Sequence, residues 1–376
     1  MIDHLPYGVF RTPGREPRCA ARFGDHLIDL YAAESAGAVE AGGTLRARSL
    51  NDLMSAGPDV WSSVRRQLLN RPPLDHLVPL SEVELLLPFE VADYVDFYSS
   101  EHHAGNVGQI FRPGQPPLLP NWKQLPIGYH GRAGTVVVSG TPVVRPGGLL
   151  GAGVVGPSQR LDIEAEIGFV VGIDSTLGRP VPIEEFHRAV FGVVVVNDWS
   201  ARDIQAFEYQ PLGPFLGKSF ATSVSAWVTP LEALASAWTP APPQDPPVVP
   251  HLNDDPHHGL DLRLTVTWNG VEVSHPPFAS MYWTPAQQLA HMTSNGATLR
   301  TGDLFASGTV SGPQRGEVGS FLELTWGGTE PVELGAESRT FLLDGDTVVI
   351  SATAPGADGG TIRLGEVSGT VLPAVI

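Results

Sequence analysis

Apolar and polar positions alternate along much of this chain, in stretches too short for long helices. Residues 7–11, 26–30 and 83–87 near the start read as strands, as do 260–268, 347–351 and 361–364 near the end. The run 321–326, FLELTW, reads the same way. Four consecutive valines at 193–196, bounded by Gly192 and Asn197, predict a strand buried on both faces. Helical spacing is rarer. It is found at 49–56, 59–69, 200–209 and 285–292, the last with a proline in its first turn. The segment 239–250 (TPAPPQDPPVVP) carries too many prolines for a helix or a central strand and predicts an ordered surface loop. The expected fold class is mostly β with some α.

Composition supports this picture and narrows the partners. The 42 glycines and 35 prolines are spread through the chain, as many strands joined by tight turns require. The texture changes at Pro88, so we expect a small N-terminal unit over 1–88 and a larger one over 89–376. A formal charge of −17 disfavours nucleic acid and anionic membrane surfaces as partners. An anionic substrate would then need local positive charge from a metal or from arginines. Cys19 is the single cysteine, which excludes an internal disulfide and a cysteine-based zinc site. The opening MIDHLPYGVF has no basic region followed by an apolar run, and no apolar run approaches the ~20 residues that span a bilayer. The expected location is the cytoplasm.

The candidate chemistry lies in three segments. In RLDIEAEIGFVVG, Asp162, Glu164 and Glu166 share one face if the segment is a strand. Such a row is ordinarily a solvated acidic edge; buried, it would need a positive charge between the carboxylates. In FGVVVVNDWSARDIQAFEY, Asp198 stands where the valine strand ends. It reads either as a helix cap, with Ser200 and Asp203 resembling a capping box, or as a ligand on a rigid strand end. Arg202, Gln205 and Tyr209 fall on one helical face, and their types suit a ligand better than a core. Lys218, between two apolar patches and beside glycines, either snorkels or faces a ligand. In DYVDFYSSEHHAGNVG, Asp96 and Tyr98 precede the pair His102–His103. On a strand, only one of these histidines could face a site.

Together with PNWKQLPIGYHGRAGTVVVSGTP, MYWTPAQQLAHMTSNG, LFASGTVSGP and FLLDGD, these segments follow in order the pattern of the fumarylacetoacetase family, which the chain resembles from about residue 93 onward. The block NDWSARDIQ–EY–PLGPFLGKSF is the most specific part. The resemblance implies an SH3-like barrel before a mixed β-sandwich roll, in a homodimer. It implies that Asp96, Glu164, Glu166 and Asp198 ligate a metal, with Lys218 and Thr222 joining Asp198 in a second cation site. His103 would be the general base, oriented by Glu323, with Arg202, Gln205 and Lys218 stabilising charge. Tyr98, Arg112, Tyr129, Gln205, Tyr209 and Thr309 would contact substrate. The implied reaction is hydrolysis of a small 1,3-diketo acid, 4-fumarylacetoacetate, at the end of tyrosine and phenylalanine breakdown. All-oxygen ligation selects Mg2+ or Ca2+, with Mn2+ tolerable. Rival readings are acylpyruvate hydrolysis, oxo-acid decarboxylation, dienoate isomerisation, and a non-catalytic binder that would lack His103 or Glu323. The departures from the pattern are Glu101 where arginine is common, His102 where glutamine or glutamate is usual, and a shortened 147–157 segment.

Overall fold

A computed structural model describes residues 4–254 and 257–375. Its centre is the strand Val190–Asp198, buried along its whole length and paired antiparallel with Ala165–Val171. The run of four valines explains the burial. Val193 and Val195 face one hydrophobic cluster, and Val194 and Val196 face another, so the sheet is covered on both sides.

A second sheet packs on one face. Arg263–Trp268, Thr347–Pro355 and Val367–Leu372 form its middle, and Thr347–Pro355 alternates buried and half-buried positions, as a sheet with one inward face must. The N-terminal unit covers the opposite face with Tyr7, Leu53, Trp61 and Leu68. Its strands Leu77–Pro79, His26–Asp29, Arg18–Phe23 and Tyr7–Arg11 form a meander, and Glu84–Leu86 pairs with Tyr7–Arg11. Among the described residues no pairing joins Leu77–Pro79 to Glu84–Leu86. Tyr7 and Gly8 pair instead with Val228 and Trp227, so this meander runs on into the main sheet.

Most expected elements are present, including Tyr7–Arg11, Pro58–Asn70, Arg263–Trp268 and Pro285–Thr293. Two local expectations are corrected. FLEL is a short helix, Phe321–Leu324, because Ser320 accepts from the Glu323 amide and the Asp162 carboxylate accepts from the first two helical amides. His102 and His103 lie in the first turn of the helix Glu101–Phe111, not on a strand. There the Ser100 hydroxyl accepts from the His103 amide.

Candidate active site and metal centre

Three strand ends deliver four carboxylates to one point. Tyr94–Phe97 carries Asp96 and runs parallel to Leu304–Ala306. Glu166 lies in Ala165–Val171, and Glu164 precedes that strand directly. Asp198 is the last residue of its strand and pairs with Thr222. It is no helix cap. The following helix, Arg202–Glu208, has Ala201 in that position, and Asp203 binds the Ser158 hydroxyl and Gln159 amide instead of closing a box with Ser200. One oxygen from each of Asp96, Glu164, Glu166 and Asp198 lies within 4.8 Å of the other three, and all four residues are buried. The acidic edge is therefore an interior cluster.

The cluster has positive neighbours. Lys218 Nζ donates to Glu164 at 2.5 Å and to Asp198 at 2.7 Å, and Arg202 Nη1 donates to Glu164 at 2.7 Å. Burial alone would raise the Glu164 carboxyl, but Lys218, Arg202 and His103 outweigh it and hold it well below the usual range. At Glu166 and Asp96 the lowering effect of Lys218 is outweighed. Burial, then the neighbouring carboxylates, push both well above the usual range. Among the described residues, Asp96 Oδ1 and Glu166 Oε1 have no hydrogen-bond partner, and both are buried. Unpartnered carboxylate oxygens at the centre of an oxygen cage fit a hard divalent cation. The Tyr129 hydroxyl closes one side, 2.9 Å from Asp96 Oδ2 and 2.8 Å from Asp198 Oδ2. Lys218 and Thr222 meet Asp198 as donors through their side chains, the Thr222 hydroxyl at 3.2 Å.

His103 stands beside the cluster with Nε2 3.8 Å from Glu164, and its Nδ1 lies 2.7 Å from Glu323 Oε2. Glu323 is fully tied down. Asn106 donates to its Oε1, and Ser311 and Ser320 donate to its Oε2. Burial would raise its carboxyl, but His103 and these hydrogen bonds hold it below the usual range. An ion pair with Lys123 at 2.7 Å takes up the charge of Glu101.

The structure also brings together most of the expected substrate contacts. Arg202 Nη1 donates to Gln205 at 3.0 Å, joining two residues of the helical row. Tyr98 packs edge-on against the His103 ring with centroids 5.3 Å apart. The Thr309 hydroxyl is buried and, among the described residues, unpartnered; it comes just after Gly308, whose amide donates to Glu166. Arg112 and Tyr209 are less engaged. Arg112 ends its helix and donates to the Pro117 carbonyl, and Tyr209 ends its own with its ring against Phe111. Asn106, Ser311 and Ser320 escaped sequence reasoning. Asn106 is one helical turn from His103, and SFLE is a serine–glutamate capping spacing, so two of the three left a readable signal.

Comparison with known proteins places these features in a family. The family described as "Fumarylacetoacetase N-terminal" matches residues 3–88, and "Fumarylacetoacetate (FAA) hydrolase C-terminal" matches residues 93–372. The chain is 44% identical over 405 residues to fumarylacetoacetase from Homo sapiens, covering 100% of this chain and 96% of that one. It is 42% identical over 407 residues to fumarylacetoacetase from Oryza sativa subsp. japonica, covering 100% and 95%. Among solved structures, fumarylacetoacetate hydrolase from psychrophilic Exiguobacterium antarcticum shares the fold, with a TM-score of 0.62 at 19% identity over 98% of this chain and 99% of that one. On the two family matches and the whole-length identities, this chain belongs to the fumarylacetoacetase family.

Proposed function

We propose that the chain hydrolyses the carbon–carbon bond of 4-fumarylacetoacetate, giving fumarate and acetoacetate. Relatives named fumarylacetoacetase, 40–45% identical across nearly the whole chain, support the reaction. The observation that carries the chemistry is His103, held through Nδ1 by Glu323 at 2.7 Å, with Nε2 turned to the carboxylate cluster.

With Nδ1 protonated and donating to Glu323, Nε2 is free to take a proton from water. The activated water attacks the carbonyl carbon at the bond to be cleaved, and the carbon–carbon bond electrons leave with the acetoacetate half. A cation on Asp96, Glu164, Glu166 and Asp198 would supply Lewis-acid stabilisation to the charge that builds on the diketone oxygens. Arg202, Gln205 and Lys218 add fixed donors beside that charge, and Lys218, the one of the three with a transferable proton, helps protonate the departing carbon. Arg112, Tyr98, Tyr129, Tyr209 and Thr309 hold the substrate oxygens, with an arginine fork matching a carboxylate.

Mg2+ or Ca2+ is the cation in this reading, with Mn2+ as a substitute, because the donors are hard oxygens. A second cation at Asp198, Lys218 and Thr222 would need a backbone oxygen at Lys218, since an ammonium only donates. A homodimer, a place at the end of tyrosine and phenylalanine breakdown and a cytoplasmic setting complete the proposal. The lone, buried thiol of Cys19 suits a reducing compartment.

The test is an ultraviolet assay of purified protein with Mg2+ or Ca2+. The diketone absorbance of 4-fumarylacetoacetate falls if the reading is right, and it persists beside an active control hydrolase if the reading is wrong.

A further inference from the structure

Asp162 belongs to none of the functional groups above, and it is completely buried. It ends the short strand Leu161–Asp162, which pairs with Ser200–Ala201. Its carboxylate accepts four hydrogen bonds. Oδ1 takes the amides of Ile163 and Phe321, both at 2.7 Å. Oδ2 takes Nε of Arg202 at 2.7 Å and the amide of Leu322 at 3.0 Å. With both oxygens so engaged, neither the carboxylate nor its donors can turn freely.

The donors belong to two different helices of the site. Phe321 and Leu322 open the helix Phe321–Leu324, and the next residue, Glu323, holds His103. Arg202 opens the helix Arg202–Glu208 and reaches Glu164 and Gln205 through Nη1. One buried carboxylate thus ties the helix that aims the histidine to the arginine that faces the cation ligands.

We propose that Asp162 is a positioning residue that sets the geometry between the water-activating pair, His103 and Glu323, and the charge-stabilising Arg202. This rests on the roles proposed above for those three residues. Both halves must act on one substrate at once, so a small displacement between them lowers turnover more than it lowers binding.

Asp162→Asn keeps the shape but removes the charge and one acceptor oxygen. Its kcat falls about 10- to 100-fold, as for other residues that orient catalytic groups, while KM stays within about 3-fold. A fold anchor without a positioning role would lower Tm and leave kcat per folded molecule unchanged, and that result overturns the proposal. Combination variants sharpen the distinction. Asp162→Asn added to Glu323→Gln, or to Arg202→Lys, reduces kcat by less than the product of the single effects; simple multiplication in both pairs overturns the proposal.

Asp162→Glu, which keeps the charge, is the second variant and recovers part of the lost turnover. If neither variant folds, Asp162 is a determinant of the fold and the inference fails. His103→Ala, run in the same assay, separates the two levels. Full turnover in that variant defeats the proposed function, whereas its loss beside a fully active Asp162→Asn defeats this inference alone.

Discussion

His103 and Glu323 are 220 residues apart in the chain and 2.7 Å apart in space, and the water-activating step proposed for them depends on that contact. His103→Ala therefore loses at least about 100-fold in kcat. Glu323→Gln keeps an acceptor for Nδ1 but loses the charge that supports an imidazolium, so its kcat falls about 10- to 100-fold. Steady-state kinetics checks both, and wild-type turnover in either removes that residue from the mechanism. Arg202 shows why residue type was informative here. A guanidinium with almost no exposure is tolerated only with partners, and it has Asp162 and Glu164.

At the scale of elements, the site depends on where strands stop. Leu304–Ala306 is followed by Gly308 at a φ of 77°, a left-handed conformation that turns the chain so that the Gly308 amide meets Glu166 at 3.2 Å. A Cβ there would lie 2.2 Å from the Phe97 carbonyl oxygen, on the strand that carries Asp96. Gly308→Ala is thus both strained and crowded. We expect a loss of about 1–3 kcal/mol in stability, read by denaturant melts, together with weaker binding of Mg2+ measured by calorimetry. Unchanged metal affinity would mean that the Glu166 position does not depend on this turn.

At the scale of the molecule, buried carboxyls tie metal binding and stability to pH. Burial pushes both Asp96 and Glu166 up, helped by Asp198 and Glu164 at the first and by Asp96, Glu164 and Asp198 at the second, so a cation entering the cluster must displace protons. Metal affinity then rises with pH. Calorimetry of Mg2+ binding in buffers of different ionisation enthalpy should register proton release, and zero release would contradict the raised carboxyls. A cation at 100 times its Kd should stabilise the fold by about 2.7 kcal/mol and raise Tm over the EDTA-treated protein.

Asp303, far from the cluster in sequence, is pushed by burial up to about 6. Its folded-state value exceeds the unfolded one, so its contribution to stability is full below the unfolded value and is lost as pH rises through about 6. Asp303→Asn removes that dependence. Its Tm relative to wild type should therefore improve between pH 5 and pH 8, and a constant difference would contradict the assignment.

Local pattern was enough for the buried valine strand, the helix at Pro285–Thr293 and the residue types of the site, because alternation and helical spacing report which positions face a core. The ordered motifs also carried the family and, through it, the four carboxylates. What local pattern could not supply was the environment of each carboxylate. Glu164 and Glu166 looked like a solvated edge, and Asp198 like a cap, because burial on both faces is produced by sheet packing and not by neighbours in sequence. FLEL looked like a strand because one of the bonds that makes it helical, from Phe321 to Asp162, spans 159 residues. Asp162 read as one more acid in a row, and only the fold makes it the link between Arg202 and Glu323. Residue chemistry is a local property, whereas desolvation, pairing and proximity are set by distant segments meeting, and those are what turn four acids into a buried cluster able to hold a cation.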